Sequence, residues 1–229
     1  FFWEGKYHYD MNTRDTLDTQ LNVLADFKPV VPNSYKDCDF LMLGNLDPGV
    51  QMQVMEQLPI RPKLVVLDTM NFWMENTLDQ LMKSIAKVDV LAINDEEARQ
   101  LSGEYSLVKA ARKIMTMGPK YVVIKKGENG ALLMDRSQMF FAPALPLENV
   151  MDPTGAGDTF AGGFIGYLAS TRDLSFDNMK RAVIMGSALA SFTVEKFGTE
   201  ALLDLDRNAI RERLEFFSRL VDFGSVPVE

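Results

Sequence analysis

A carboxylate set among glycines is the feature of this chain best suited to chemistry. It lies in Asp152-Pro153-Thr154-Gly155-Ala156-Gly157-Asp158-Thr159-Phe160-Ala161-Gly162-Gly163-Phe164. The glycines let backbone N–H groups approach an anion with no Cβ in the way. The apolar run that follows, Phe160 to Leu168, has the character of a helix. The first turn of a helix leaves N–H groups unpaired and carries partial positive charge, so it can hold an anion. Asp158 sits in that same turn. An anion cradle with an acid in it suits transfer of a charged group to an acceptor whose proton Asp158 removes. The plain structural alternative is a glycine-rich helix start used for close packing, with Asp158 favouring the helix dipole. Gly162 and Gly163 each cost about 1 kcal/mol relative to Ala inside a helix, so a close approach of strand or ligand should offset them.

Two further sets could act with this turn. Asn94-Asp95-Glu96-Glu97 follows a strand and starts a helix. Asn94 with Glu97 three residues on is the pattern of an N-cap with a reciprocal box. The same two residues suit phosphate oxygens (Asn94) and a hydrated Mg²⁺ (Glu97), since Mg²⁺ takes oxygen ligands and keeps several waters. Lys125-Lys126-Gly127-Glu128-Asn129-Gly130 reads as a hairpin turn, or as a lysine beside glycines meeting a nucleotide phosphate. Neither a GxxxxGK[ST] loop nor a strand-linked GxGxxG is present, which excludes a P-loop and leaves a dinucleotide site without support. Arg14 is either a solvated loop arginine or a contact to substrate or phosphate.

The elements that must position these residues alternate. Residues 1–9 and 17–27 read as two strands, the second from the alternation of Leu17, Thr19, Leu21, Val23, Ala25 and Phe27 with mostly polar neighbours. From Pro29 onward the pattern is strand, helix, strand. Strands are expected at 40–44, 64–68, 88–93 and 121–124, and helices at 50–58, 78–87 and 107–117. A hairpin is expected over 131–134 and 138–142, and helices at about 157–170, 176–195 and 207–220. Continuous Val/Ile/Leu strands alternating with helices predict a parallel sheet covered on both faces. In such sheets ligands bind beyond the carboxyl ends of the strands. Asn45/Asp47, Asp68/Asn71, Asn94/Glu97 and Lys125/Gly127 all fall at those ends.

Composition removes several classes. A formal net charge of −8 argues against a nucleic-acid or anionic-membrane surface. One cysteine, Cys38, excludes an internal disulfide and a multi-cysteine zinc site, and fits a reducing, cytoplasmic compartment. One histidine, His8, excludes HExxH and leaves a Ser-His-Asp triad little support. No apolar run reaches the ~18 residues of a membrane span. At 229 residues with 47% hydrophobic content, one well-packed domain is the expectation.

The segment Asp152–Phe160 resembles the C-terminal signature of the PfkB, or ribokinase-like, carbohydrate kinases. Asn94–Glu97 is similar to that family's N-x-x-E motif, and Lys126–Gly130 stands where the family has its G-x-x-G nucleotide loop. Order and separation also agree, over roughly residues 1–220. The resemblance implies a three-layer α/β/α fold with a mostly parallel sheet and a small β-lid. Residues 1–27 would be the lid strands and 28–229 the nucleotide-binding core of a single domain. It implies an ATP-dependent kinase that phosphorylates a hydroxyl of a sugar or sugar-like molecule. Asp158 would be the catalytic base, and Gly155, Ala156 and Gly157 the anion hole. Asn94, Lys125, Gly127, Gly130, Ser187 and Ala190 would line the ATP site. Glu97 would hold Mg²⁺, through water. Asp152 and Thr154 match positions that take a monovalent cation such as K⁺ in some relatives. Lids of the family can also mediate a homodimer. A nucleoside kinase of the same fold and a non-catalytic nucleotide-binding relative remain alternatives. The family's opening strand-helix units with a Gly-Gly substrate motif are absent from this sequence. The expectation is therefore an N-terminally incomplete chain with an incomplete acceptor pocket and impaired turnover.

Overall fold

Strand segments with almost no polar residue organise the fold. In the computed structural model, which describes residues 1–222 and 224, the chain forms two compact units. The first comprises residues 1–127 and 132–140, and the second residues 128–131 and 141 onward. The first opens with a two-stranded antiparallel hairpin, β1 (Phe2–Tyr7) and β2 (Arg14–Gln20), with a bulge at Glu4/Gly5. Then follow β3 (Phe40–Leu43), α1 (Pro48–Glu56), β4 (Leu64–Asp68), α2 (Asn71–Asn76) and α3 (Leu78–Ile85). After these come β5 (Val90–Asn94), α4 (Asp95–Ser102), α5 (Leu107–Met115) and β6 (Tyr121–Lys125). The strands β7 (Ala131–Met134) and β8 (Met139–Ala142) complete a six-stranded sheet of order β3-β4-β5-β6-β7-β8. The pairings β3/β4, β4/β5 and β5/β6 are parallel. The expected mostly parallel α/β architecture is the one observed.

The sequences LVVLD, VLAIN and YVVIK are strands buried on both faces. Val65, Leu67, Leu91, Ile93, Val122 and Ile124 join one core with Leu81 and Ile85 of α3 and Ala110, Ala111 and Ile114 of α5. Val66, Val90 and Val123, which alternate with them, are equally inaccessible. Each such side chain contributes about 1.5–3 kcal/mol on leaving water. Helix α3 buries Leu81 and Ile85 while exposing Asp79, Gln80 and Lys83, the stripe that faces a core. Helix α1 starts two residues earlier than the apolar pattern suggests. Pro48 takes its first position, and the Asp47 carboxylate accepts from Gly49 N (2.8 Å) and Val50 N (3.2 Å).

Two local expectations are corrected. The strand expected over 17–27 ends at Gln20 and gives way to a 3-10 turn at Asn22–Leu24. Asn22 adopts a left-handed φ of 49°, which asparagine tolerates and which breaks the extended ladder. Leu21 then packs on the core of the first unit, while Val23 is exposed. Second, a short helix, α2, follows β4 where no helix is expected, and it buries Trp73 and Met74.

The second unit is helical: α6 (Ala156–Thr171), α7 (Phe176–Thr193), α8 (Glu200–Leu203) and α9 (Arg207–Val221). Ser175 caps α7 and Asp206 caps α9. Helices α6 and α7 lie close together because Gly163 faces Gly186. A Cβ on Gly163 would stand 3.1 Å from the Gly186 Cα. A helix–helix approach, rather than a strand, thus accounts for Gly163, whereas Gly162 faces open space. Leu145, Ala188 and Phe217 form a small core beside Ile184 and Leu214.

Candidate active site

The residues singled out by the sequence occur in both units, and each set is described within its own. In the first unit, the parallel register pairs Asn94 with Lys125 at the carboxyl ends of β5 and β6. Asn94 caps α4. Its Oδ1 accepts from Glu97 N at 2.7 Å, and Glu97 Oε2 accepts from Asn94 N at 2.8 Å. The reciprocal box is therefore real, and it engages one of the two carboxylate oxygens of Glu97. Glu97 is only 3% exposed. Burial pushes its carboxyl up from 4.5 to about 7, against the Lys125 ammonium and the Asn94 N–H, which favour the ionised form; Asp68 adds to the rise and Arg14 opposes it.

Lys125 is engaged within the protein. Its Nζ lies 3.0 and 3.2 Å from the carboxylate oxygens of Asp68, a buried side chain at the end of β4. Asp68 was legible as a strand-end acid, but its pairing with a lysine 57 positions away was not. Gly127 has a φ of 50°, and a Cβ there would overlap the side-chain amide of Asn12. The tip of the β1–β2 hairpin is thus seated on Gly127, and Asn12 is a contact the sequence did not reveal. Arg14, at the start of β2, is exposed and lies 5.5 Å from the centre of the Trp3 ring. Among the described residues no cluster of three or more Asp, Glu, His or Cys is arranged to hold a metal.

In the second unit, Gly155 has a φ of 83° and serves as N-cap of α6 with no side-chain cap. Left-handed backbone at this position favours glycine. The first-turn N–H groups of α6 are therefore not consumed by a capping side chain, although the Ala156 N–H donates to the Pro153 carbonyl at 3.2 Å. Asp158 stands in that turn and is exposed. Before the turn, Asp152 Oδ1 accepts from Thr154 N at 2.9 Å. Gly130, with a φ of 82°, lies against the Ala142 carbonyl in the same unit. Ser187 and Ala190 are half-buried, one turn apart on α7. Thr193, at the end of α7, donates to or accepts from the hydroxyl of Thr159, next to Asp158, at 2.9 Å. No local sequence signal announces that bond.

The sequence matches the model of the family described as pfkB family carbohydrate kinase over residues 12–205. It is 32% identical over 173 residues to a cytidine kinase from Thermococcus kodakarensis, covering 73% of this chain and 59% of that protein. It is 32% identical over 126 residues to a ribokinase from Staphylococcus aureus, covering 53% of this chain and 40% of that protein. Among solved structures, a ribokinase from Thermotoga maritima superimposes with a TM-score of 0.64 and 26% identity, over 80% of this chain and 59% of the other. A nucleoside kinase from Methanocaldococcus jannaschii shares the fold, with a TM-score of 0.69 and 20% identity over 93% of this chain and 67% of the other. The chain thus spans roughly half the length of the curated relatives it matches. No helix among the described residues is long and apolar enough to cross a membrane.

Proposed function

This chain belongs to the pfkB family of carbohydrate kinases, and from that premise we propose that it serves in an ATP-dependent kinase acting on a hydroxyl of a sugar or nucleoside. One observation carries the reading. The α6 turn combines a left-handed Gly155, first-turn N–H groups without a side-chain cap, and an exposed carboxylate, Asp158.

In this reading Asp158 accepts the proton of the acceptor hydroxyl as its oxygen attacks the γ-phosphorus. The N–H groups of Gly155, Ala156 and Gly157 hold the charge that develops on the transferring oxygens. Asn94 orients phosphate, and Lys125, Gly127 and Gly130 border the nucleotide. Ser187 and Ala190 are assigned to the adenine side. Arg14 is assigned to substrate or phosphate. Glu97 holds Mg²⁺ through water, and that ion would neutralise phosphate charge. Its one uncommitted carboxylate oxygen suits such a role. K⁺ is assigned to the oxygen-rich turn at Asp152 and Thr154. A nucleoside acceptor has its own support in the 32% identity to a cytidine kinase over 73% of the chain.

The test is transfer from γ-labelled ATP to a panel of sugars and nucleosides, run in K⁺ and in Na⁺. Labelled ATP registers slow turnover as well as fast. Asp158→Asn should reduce transfer by about 10²–10⁴-fold and leave ATP affinity within about twofold. If the variant keeps most of the activity, Asp158 is not the base.

A further inference from the structure

A threonine hydroxyl inside a helix usually turns back to a carbonyl of the preceding turn. Thr193 does not follow that habit. Its hydroxyl is bonded at 2.9 Å to the hydroxyl of Thr159, which lies 34 positions earlier in the chain. Thr193 is 2% exposed, so this bond satisfies a hydroxyl that solvent does not reach. The neighbouring residue grips the other flank of the same turn. The Val194 carbonyl accepts from Met151 N at 2.8 Å and from Asp152 N at 3.4 Å. The end of α7 therefore holds the segment just before the glycine turn and the residue just after Asp158. Between those two holds, Gly155 is left-handed and α6 lacks a side-chain cap; the turn's own bonds, Thr154 N to Asp152 Oδ1 (2.9 Å), Ala156 N to the Pro153 carbonyl (3.2 Å) and Thr159 N to the Gly155 carbonyl (2.9 Å), close it locally but do not tie it to the rest of the unit. The close approach of α7 begins at Phe160, whose carbonyl would lie 2.6 Å from a Cβ on Gly186, and continues at Gly163, so the Thr193–Thr159 bond fixes the turn on the side of Asp158 that this packing leaves open.

We propose that Thr193 is a positioning residue for the α6 turn. Through Thr159 it sets where the Asp158 carboxylate and the first-turn N–H groups stand. This rests on the reading of Asp158 as the base. An acid–base group loses effectiveness when it drifts from hydrogen-bond reach of its proton, while a nucleotide held by many contacts is little affected. The consequence of losing the Thr193 hydroxyl should thus appear in kcat rather than in KM for ATP.

The test compares Thr193→Val, Thr193→Ser and Thr159→Ala with the parent chain and with Asp158→Asn. Phosphoryl transfer gives kcat and KM for ATP. Hydrogen exchange of the amides at residues 155–160 gives the order of the turn independently of turnover. Thr193→Val should lower kcat about five- to tenfold, the worth of one hydrogen bond, with KM for ATP within about twofold. Exchange should quicken at 155–160 and stay unchanged in α9. Thr193→Ser should restore both, and Thr159→Ala should reproduce the Val variant. Equal exchange at 155–160 in Thr193→Val and the parent overturns the proposal, with or without measurable turnover. So does an unchanged kcat. If Thr193→Val unfolds the chain, Thr159→Ala, at a less buried position, decides by the same readouts. Should Asp158→Asn keep full transfer while Thr193→Val loosens the turn, the base reading fails and the positioning of the turn stands.

Discussion

Glu97 gives the protein a pH dependence opposite to that of an ordinary carboxylate. It is 3% exposed, and its carboxyl is raised from 4.5 to about 7, chiefly by burial. The folded state therefore binds this proton more tightly than the unfolded chain does. The contribution to stability is fully present below about pH 4.5 and is lost as pH rises through about 7. At about 1.4 kcal/mol per pH unit, the gap between those values is worth on the order of 3 kcal/mol. Glu97→Gln isolates the effect. Glutamine keeps a side-chain oxygen to accept the Asn94 N–H and never ionises. At pH 5 the variant should already be more stable than the parent, by about 0.8 kcal/mol. At pH 8 the variant should be more stable by on the order of 3 kcal/mol. Urea unfolding at pH 5, 6, 7 and 8 measures this. The fluorescence of Trp73, buried in the core of the first unit, reports it in a Trp3→Phe background. A difference between variant and parent that stays constant from pH 5 to 8 refutes the argument. A parent that gains stability relative to the variant on going to pH 8 refutes it more strongly, because that is the sign of a depressed carboxylate.

Two further perturbations probe the same end of the sheet. Lys125→Met removes the ammonium 3.0 Å from the buried Asp68 carboxylate. Denaturant unfolding should register a loss of about 3–5 kcal/mol. Adding Asp68→Asn, which can still accept the Thr69 N–H, should recover most of it; an equal loss in single and double variants would count against charge as the cause. Gly127→Ala faces both a φ of 50° and the Asn12 amide. The backbone part should cost about 1–2 kcal/mol. Asn12→Ala combined with it should relieve only the steric remainder, measured by the same unfolding curves.

What the sequence makes legible follows the range of the interactions. The α6 turn is written in adjacent residues, because glycine at 155 and an acid at 158 are local demands of a helix start. The Asn94/Glu97 box is written in a four-residue window for the same reason. Buried strands such as LVVLD announce themselves by composition, since a sheet covered on both faces needs no polar alternation. The hairpin strand shows where this logic stops. Alternation continues past Gln20 to Phe27, yet a single left-handed Asn22 ends the ladder and leaves Leu21 partly buried against the core. Period alone cannot report that outcome, because burial of Leu21 depends on partners that lie far along the chain. The pairings Lys125–Asp68, Asn12–Gly127 and Thr193–Thr159 have no local period at all. Each joins two residues that look ordinary in their own neighbourhoods. Those bonds also distinguish a glycine turn that merely exists from one held in place. The sequence can therefore nominate Asp158 as a base, but what holds the turn that carries it lies in the contact with the end of α7.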